Sequence, residues 1–452
     1  MSLTDIPQDA LIALAKSTIH SRILGTLYGS ALGDAIGLYT EFLSADLSLK
    51  AYPSRSFTLY PRSEATPFRR DHHRNPHHPG EWTDDTDHAM LILLAYLHSS
   101  GKELNPKQLA ERLSIWVQMG LRALDTLPLG LGRTVGAIVR TKIYLEDPER
   151  RAREHWTTCG YTAAPNGSLM RTHPIGLMCL YKTQTDTFRI ASEYSCVTHV
   201  DPRCIIACAI GSDLIRGLAR GEVHSEQHID ATIRAAIEWY TSYQQDLLKA
   251  HPERKDEPDL DTAELWKHAK IDDLDDLKLD EAYKIGYVYK TFGCGIHLLR
   301  LAMRHRQNAS HRTTTGTTLF ETLITDLIMR AGDADTNACF AGALLGAYLG
   351  FSCLPPRWRD GLRHGDWLLE KAESLSVVLG VNADEGIRYD GKEDKDTAPD
   401  GGRGWLTINQ MDERAMRLQA RMAEEETKSR EMEEERRRGD KGWFGFKKKP
   451  AS

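Results

Sequence analysis

Residues 335–350 read DTNACFAGALLGAYLG, and residues 29–41 read GSALGDAIGLYTE. In the first stretch Gly342, Gly346 and Gly350 recur every fourth position. In the second and its upstream continuation, Gly25, Gly29, Gly33 and Gly37 do the same. Spacing of four places these residues on one helix face, and a face without Cβ atoms lets a second backbone approach closely. Asp34 interrupts the second run, which disfavours a membrane dimer, and sustained helical spacing disfavours a strand. Two such helices predict an all-α fold with a tightly packed core.

The surrounding sequence agrees with that class. Helical patterns recur at 106–120, at 130–143, and through DPRCIIACAIGSDLIRGLARG and YKTFGCGIHLLRLAMRH, while strand-like alternation is scarce. Periodicity vanishes between 42 and 80, where proline, histidine and arginine dominate. A structureless connection of that length inside a domain is more often functional than idle. The acidic stretch 252–281 reads as an exposed connection. The expected organisation is therefore a helical catalytic domain over 1–380 with a long 42–80 loop. A tail over 381–452 follows, comprising a polar linker, a charged helix at 409–438 and a flexible basic and aromatic tip.

Composition narrows the function classes. The chain has 452 residues, with 64 acidic against 58 basic side chains and a formal net charge of −6, so no whole-molecule field advertises nucleic acid as an obligate partner. The eight cysteines form no CxxC pair and lie mostly in apolar stretches, as buried thiols do. No apolar run reaches about 18 residues and the first residues lack a secretory pattern. These features predict an intracellular protein, cytoplasmic or nuclear, without a transmembrane segment.

Chemistry concentrates in two acidic helix starts. In EWTDDTDHAMLILL (81–94), Thr83, Asp84, Asp85 and Asp87 precede an apolar run; capping and a ligand site account for them equally well. MRAGDADTN (329–337) repeats the arrangement with Asp333, Asp335 and Thr336. Converging carboxylates repel one another unless protons or cations intervene. Hard oxygen ligands suit Mg²⁺ or Mn²⁺, whereas zinc favours more histidine or cysteine. Asn166 and Gly167 make either an ordinary turn or a phosphate-facing one, with Ser168 adjacent and Arg171 as an ion partner behind it. His199, before Asp201–Pro202, is either structural or ligand-facing, and Asp201 reads as a helix cap. His88 lies one turn into its helix, on a packed face or facing the acidic centre. His72, His73, His77 and His78 read as a solvated insertion or a lid rather than a transition-metal site. At the end of the chain Trp443, Phe444, Phe446 and Lys447, Lys448 and Lys449 suit a protein partner or an anionic surface.

Taken in order, GSALGDAIG (29–37), TDDT (83–86), NGSLMR (166–171), THVDPRC (198–204) and GDADTNACFAGALLG (332–346) resemble the motif series of the ADP-ribosylglycohydrolases over roughly residues 18–355. The tail and the 42–80 insertion fall outside the resemblance. It implies a compact, orthogonally packed multi-helix hydrolase that removes ADP-ribose from a protein side chain or a small conjugate with a two-Mg²⁺ centre; the core is expected to be monomeric. On that resemblance Thr83, Asp84 and Asp85 form one group of metal ligands, and Asp333, Asp335 and Thr336 the other. Asp34 falls at a GD motif associated with substrate, Gly167 and Ser168 at diphosphate contacts, and His199 at a position near the ligand. Glu41 matches an acidic position over the substrate.

Cleavage at an anomeric carbon develops oxocarbenium character, which carboxylates stabilise while directing a water. Glu41 and a carboxylate of the metal cluster, among Asp84, Asp85 and Asp335, compete for that water. Two other readings stand beside this one: a hydrolase of another ribosyl conjugate, and a non-catalytic ADP-ribose-binding module whose tail recruits a partner.

Overall fold

The computed structural model describes residues 7–307, 316–382 and 388–444. Among them are seventeen α-helices and no strand; Pro165 and Tyr287 form an isolated bridge. The first nine helices are α1 (Gln8–Gly37), α2 (Ala45–Ala51), α3 (Asp84–His98), α4 (Pro106–Met119), α5 (Arg133–Val139), α6 (Pro148–Thr158), α7 (His173–Met178), α8 (Gln184–Cys196) and α9 (Pro202–Arg220). There follow α10 (Glu226–Ala250), α11 (Thr262–Ala269), α12 (Val288–Gln307), α13 (Gly316–Ile328), α14 (Ala334–Leu349), α15 (Pro356–Arg359), α16 (Gly365–Val378) and α17 (Ile408–Phe444). None is long and apolar enough to cross a membrane.

The two glycine-striped helices face each other at the centre. A Cβ at Gly29 would lie 2.3 Å from the Gly342 carbonyl oxygen, one at Gly33 1.9 Å from that of Ala338, and one at Gly37 2.3 Å from Asp335 Cα. Because the partner numbers fall as the α1 numbers rise, the helices run antiparallel. The end of α1 therefore meets the beginning of α14, which brings Asp34 to Asp335 across some 300 residues of chain. Packing from α9, α12 and α13 encloses α14, whose residues from Ala334 to Ala347 are all buried. The eight cysteines are free thiols, six of them buried.

The chain divides into two compact units, residues 1–66 with 80–404 and residues 67–79 with 405–452. The division departs from the expected loop and boundary. Residues 44–66, expected as part of one long loop, belong to the first unit: Ser44 caps α2 through Leu47 N–H, Phe57 and Leu59 are buried, and Trp358 Nε1 donates to the Phe57 carbonyl at 2.8 Å. Aromatic anchors hold this stretch without helical periodicity, so the sequence pattern does not reveal it. Tyr39, Tyr52 and Phe57 form one cluster, with ring centroids 5.0–5.5 Å apart.

Residues 389–404, expected as linker, also close against the first unit. Lys371 is fully buried, and its Nζ donates to Asp394 at 2.8 and 2.9 Å and to Glu370 at 2.9 Å, with Asp396 at 3.1 Å. The carboxylates gather around a lysine, so this acidic group already has its cation. Lys371→Met should lower stability by about 2 kcal/mol in urea unfolding, because two partly buried aspartates lose their counter-charge. An unchanged midpoint would show the clamp to be inert.

In the second unit α17 is longer than the expected 409–438 helix. Met411, Leu418 and Met422 are half-buried along it, and Arg421 donates to the Pro76 carbonyl and pairs with His78 Nε2. The guanidinium thus engages His78 Nε2. The side chains of Trp443 and Phe444, together with Phe446 and Lys447, Lys448 and Lys449, lie outside the described residues.

Candidate active site

The acidic run of α3 separates into residues that hold the site and residues that face it. Thr83 is the N-cap, and its hydroxyl accepts from Asp85 N–H. Asp34, fully buried, accepts from Thr83 N–H at 2.9 Å, Thr86 N–H at 3.0 Å and the Thr86 hydroxyl at 2.6 Å. It thus fastens the first turn of α3 to the end of α1. Burial still pushes its carboxyl up to about 6. Asp87 turns the other way and accepts from the indole N–H groups of Trp82 (2.9 Å) and Trp116 (2.8 Å). Asp84 and Asp85 are left facing the cleft.

The second acidic start approaches from α14. Phe42 N–H donates to the Gly332 carbonyl at 2.7 Å, Gly332 N–H returns to Leu43, and the Thr40 hydroxyl reaches the Ile328 carbonyl. These bonds pin the segment after α1 beside the segment before α14 and set Glu41 next to Asp333. Phe42 adopts φ +56°, a left-handed conformation rare for an aromatic residue, and is 53% exposed at the cleft. Asn166 Nδ2 donates to Asp333 at 2.8 Å and to the Thr291 hydroxyl at 2.9 Å, and Thr291 in turn donates to Asn337. Thr336 binds Asp85 through its hydroxyl at 3.2 Å and Asp335 through its N–H at 2.8 Å. The positive ends of two helix dipoles therefore meet one carboxylate cluster.

Two buried carboxylate triads result, Asp34 with Asp85 and Asp335, and Glu41 with Asp333 and Asp335; within each, one oxygen per residue lies within 4.8 Å of the others. Asp335 belongs to both. Burial, reinforced by neighbouring acids, pushes Asp84, Asp85 and Asp335 well above the usual carboxylate range, and Asp333 up to about 6. Asp85 Oδ1 is buried without a hydrogen-bond partner. An all-oxygen donor set with an orphaned carboxylate oxygen and excess negative charge fits hard divalent cations. Among the described residues, the groups able to hold a metal consist of carboxylates only.

The cleft above the triads has a volume of ≈ 210 Å³. Of the residues expected at a site, it is lined by Glu41, Asp84, Asp85, Asp333, Asp335 and Thr336, and by Gly167 and His199 on another wall. Thr83 stands directly behind, its hydroxyl 3.1 Å from Asp85 and 3.4 Å from Asp335. Asp34 and Ser168 do not line the cleft. Asp34 lies behind the cleft, holding the α3 turn while keeping one oxygen within 4.8 Å of Asp85 and Asp335, and Ser168, fully buried, is bonded to Ser195 and Cys208. His88 packs edge-on against Trp116 with ring centroids 4.4 Å apart. Asp201 caps α9 through Arg203 N–H.

Other lining residues were not legible as such. The segment around Gly130 and Gly132 reads as helix, yet α5 begins only at Arg133, and a Cβ at Gly130 would lie 2.2 Å from Asp84 Oδ1. The signal was the glycine pair itself, which a helix tolerates poorly. Phe42 matters through a contact with a residue 290 positions distant, and Asn166, already expected at the phosphate-facing turn, also reaches Asp333, 167 positions away.

The family model described as ADP-ribosylglycohydrolase matches residues 15–385. The chain is 25% identical over 366 residues to an ADP-ribosylarginine hydrolase Tri1 of Serratia proteamaculans, covering 80% of this chain and 81% of that one. It is 22% identical over 348 residues to the ADP-ribosyl-[dinitrogen reductase] glycohydrolase of Rhodospirillum rubrum, covering 76% and 91% respectively. A solved structure titled ADP-ribosylglycohydrolase-related protein complex aligns with a TM-score of 0.49 at 21% identity, over 80% of this chain and 99% of that chain.

Proposed function

Given that the chain belongs to the ADP-ribosylglycohydrolase family, we propose that its acidic cleft hydrolyses the bond between the ribose anomeric carbon of ADP-ribose and an acceptor, most naturally a modified protein side chain. The observation that carries this reading is the pair of buried triads sharing Asp335 beneath a cleft walled by Gly167 and His199.

Asp34, Asp85 and Asp335 would hold one Mg²⁺ or Mn²⁺, and Glu41, Asp333 and Asp335 a second. When bound, such ions neutralise the carboxylates, orient ribose hydroxyls and polarise oxygen. The chain's own residues do the rest. Thr83 and Thr336 fix the rotamers of Asp85 and Asp335, and Asn166 fixes Asp333. The glycine turn at 166–168 offers a close approach for the diphosphate. Attack by water forms the new C–O bond as the acceptor departs with the bonding pair. The water's proton passes to a cleft carboxylate and from there to the departing acceptor, which leaves protonated. Glu41 and Asp84 compete for it; Asp84 lines the cleft yet belongs to neither triad, and its burial raises its basicity.

The test is release of free ADP-ribose from arginine-linked and serine-linked ADP-ribosyl proteins and from small ADP-ribosyl conjugates. With Mg²⁺ present, one protein-linked substrate should be turned over, and EDTA should slow release by about a hundredfold or more, since carboxylates this close cannot do without their cations. Release from small conjugates alone would move the acceptor away from protein. Tight binding of ADP-ribose without any turnover would instead make the chain a binding module. Because the carboxylates must lose protons to take a cation, metal affinity should rise with pH.

A further inference from the structure

Behind the wall of the cleft lies a short polar relay that the carboxylate chemistry does not use. Arg171 is 1% exposed and, among the described residues, pairs with no carboxylate. Its Nη2 donates to the Thr198 hydroxyl at 2.7 Å and to the Tyr194 carbonyl at 3.4 Å. Thr198 Oγ1 lies 2.7 Å from His199 Nδ1. His199 Nε2 is buried without a partner beside the 166–168 turn, where a Cβ at Gly167 would lie 3.3 Å away.

The direction of each bond follows from counting hydrogens. A guanidinium only donates, so Thr198 accepts from Arg171. Thr198 is itself buried, and His199 Nδ1 is the acceptor available to its single hydroxyl hydrogen. If Nδ1 carried the proton instead, Thr198 would accept twice and bury an unsatisfied O–H. The hydroxyl therefore donates to Nδ1, and the ring proton resides on Nε2.

We propose that Arg171 and Thr198 are positioning residues that lock His199 as its Nε2–H tautomer and so present a fixed hydrogen-bond donor to an acceptor oxygen of the ligand diphosphate at the 166–168 turn. The ligand half of this statement rests on the functional reading above; the lock does not. Burial, followed by the nearby Arg171 charge, pushes His199 well below the ordinary histidine range, which keeps the ring neutral. A neutral donor backed by a buried cation suits an anion that must bind beside a carboxylate cluster. Arg171 thus acts through Thr198, without touching the ligand.

Arg171→Met removes a buried cation and risks misfolding, so the test is made on Thr198. The chain has 18 histidines; in ¹⁵N-histidine-labelled protein the His199 signal is identified by its loss in His199→Gln, and two-bond ¹⁵N–¹H correlations report its tautomer. The wild-type ring should show the Nε2–H pattern. Thr198→Val should mix the tautomers and weaken ADP-ribose binding by calorimetry about tenfold, the effect of one well-placed hydrogen bond. Thr198→Ser should restore both. A wild-type Nδ1–H pattern, or an unchanged spectrum and affinity in Thr198→Val, overturns the lock. Wild-type protein that binds no ADP-ribose sinks the donor role together with the functional reading, and the ligand-free spectrum distinguishes that failure from failure of the lock.

Discussion

Asp335→Asn is expected to lower the rate of ADP-ribose release by about a thousandfold or more and, at the same time, to raise the melting temperature of the metal-free protein. Both effects arise because Asp335 is common to the two triads. Removing its charge deprives both cation positions of a ligand, and one misplaced electrostatic group in a water-poor site already costs about a hundred- to a thousandfold. Without metal, however, the same carboxylate is buried against Glu41 and Asp85, and the neutral amide relieves that repulsion. Scanning fluorimetry should show Mg²⁺ raising the melting temperature of the wild-type chain and leaving that of the variant unchanged. A variant that retains its rate, or still gains stability from Mg²⁺, would remove Asp335 from the centre.

Gly346→Ala is expected to cost about 3 kcal/mol or more of stability, at or beyond the upper end of overpacking effects, and to reduce soluble yield. The new Cβ would lie 1.8 Å from the Gly25 carbonyl oxygen and 2.4 Å from its carbon. The obstruction is backbone, so no rotamer change relieves it, and α1 and α14 must separate. Their separation also reaches the site, because the same helix pair carries Asp34 at the end of α1 and Asp335 at the start of α14. Activity per folded molecule should therefore fall as well. A denaturation midpoint equal to that of the wild-type chain would show that the two backbones are not in contact.

Both predictions depend on spacing that is visible along the chain. Glycine at every fourth position identifies a helix face that a second backbone can touch, and two such stripes in one sequence identify the pair. Asp and Thr before an apolar helix are visible in the same way, since capping preference and the helix dipole act locally. What spacing does not provide is the orientation of each side chain. Asp84, Asp85 and Asp87 look equivalent in TDDTD, yet Asp87 belongs to two indoles. Asp34 and Ser168 match positions associated with substrate, and both are buried in bonds to other parts of the protein.

The stretch from 44 to 66 and the segment 389–404 carry no periodic signal for another reason. Each packs through isolated anchors, Phe57 and Leu59 in the first and Thr397 with the Lys371 aspartates in the second, and neither has a helical or alternating period. Periodicity reports an element that buries one face regularly; it does not report irregular chain held by single side chains.

The sequence by itself determined the all-α class, the facing glycine helices, the two acidic helix starts and the family, because all of these are set by local spacing and by residue types in order. The tertiary structure alone decided that the two acidic starts meet and share Asp335. It also decided which carboxylates face the cleft and which hold it together, and that Arg171, Thr198 and His199 stand in one hydrogen-bonded row. These depend on distances between residues hundreds of positions apart, and on burial, which forces every donor and acceptor to find a partner.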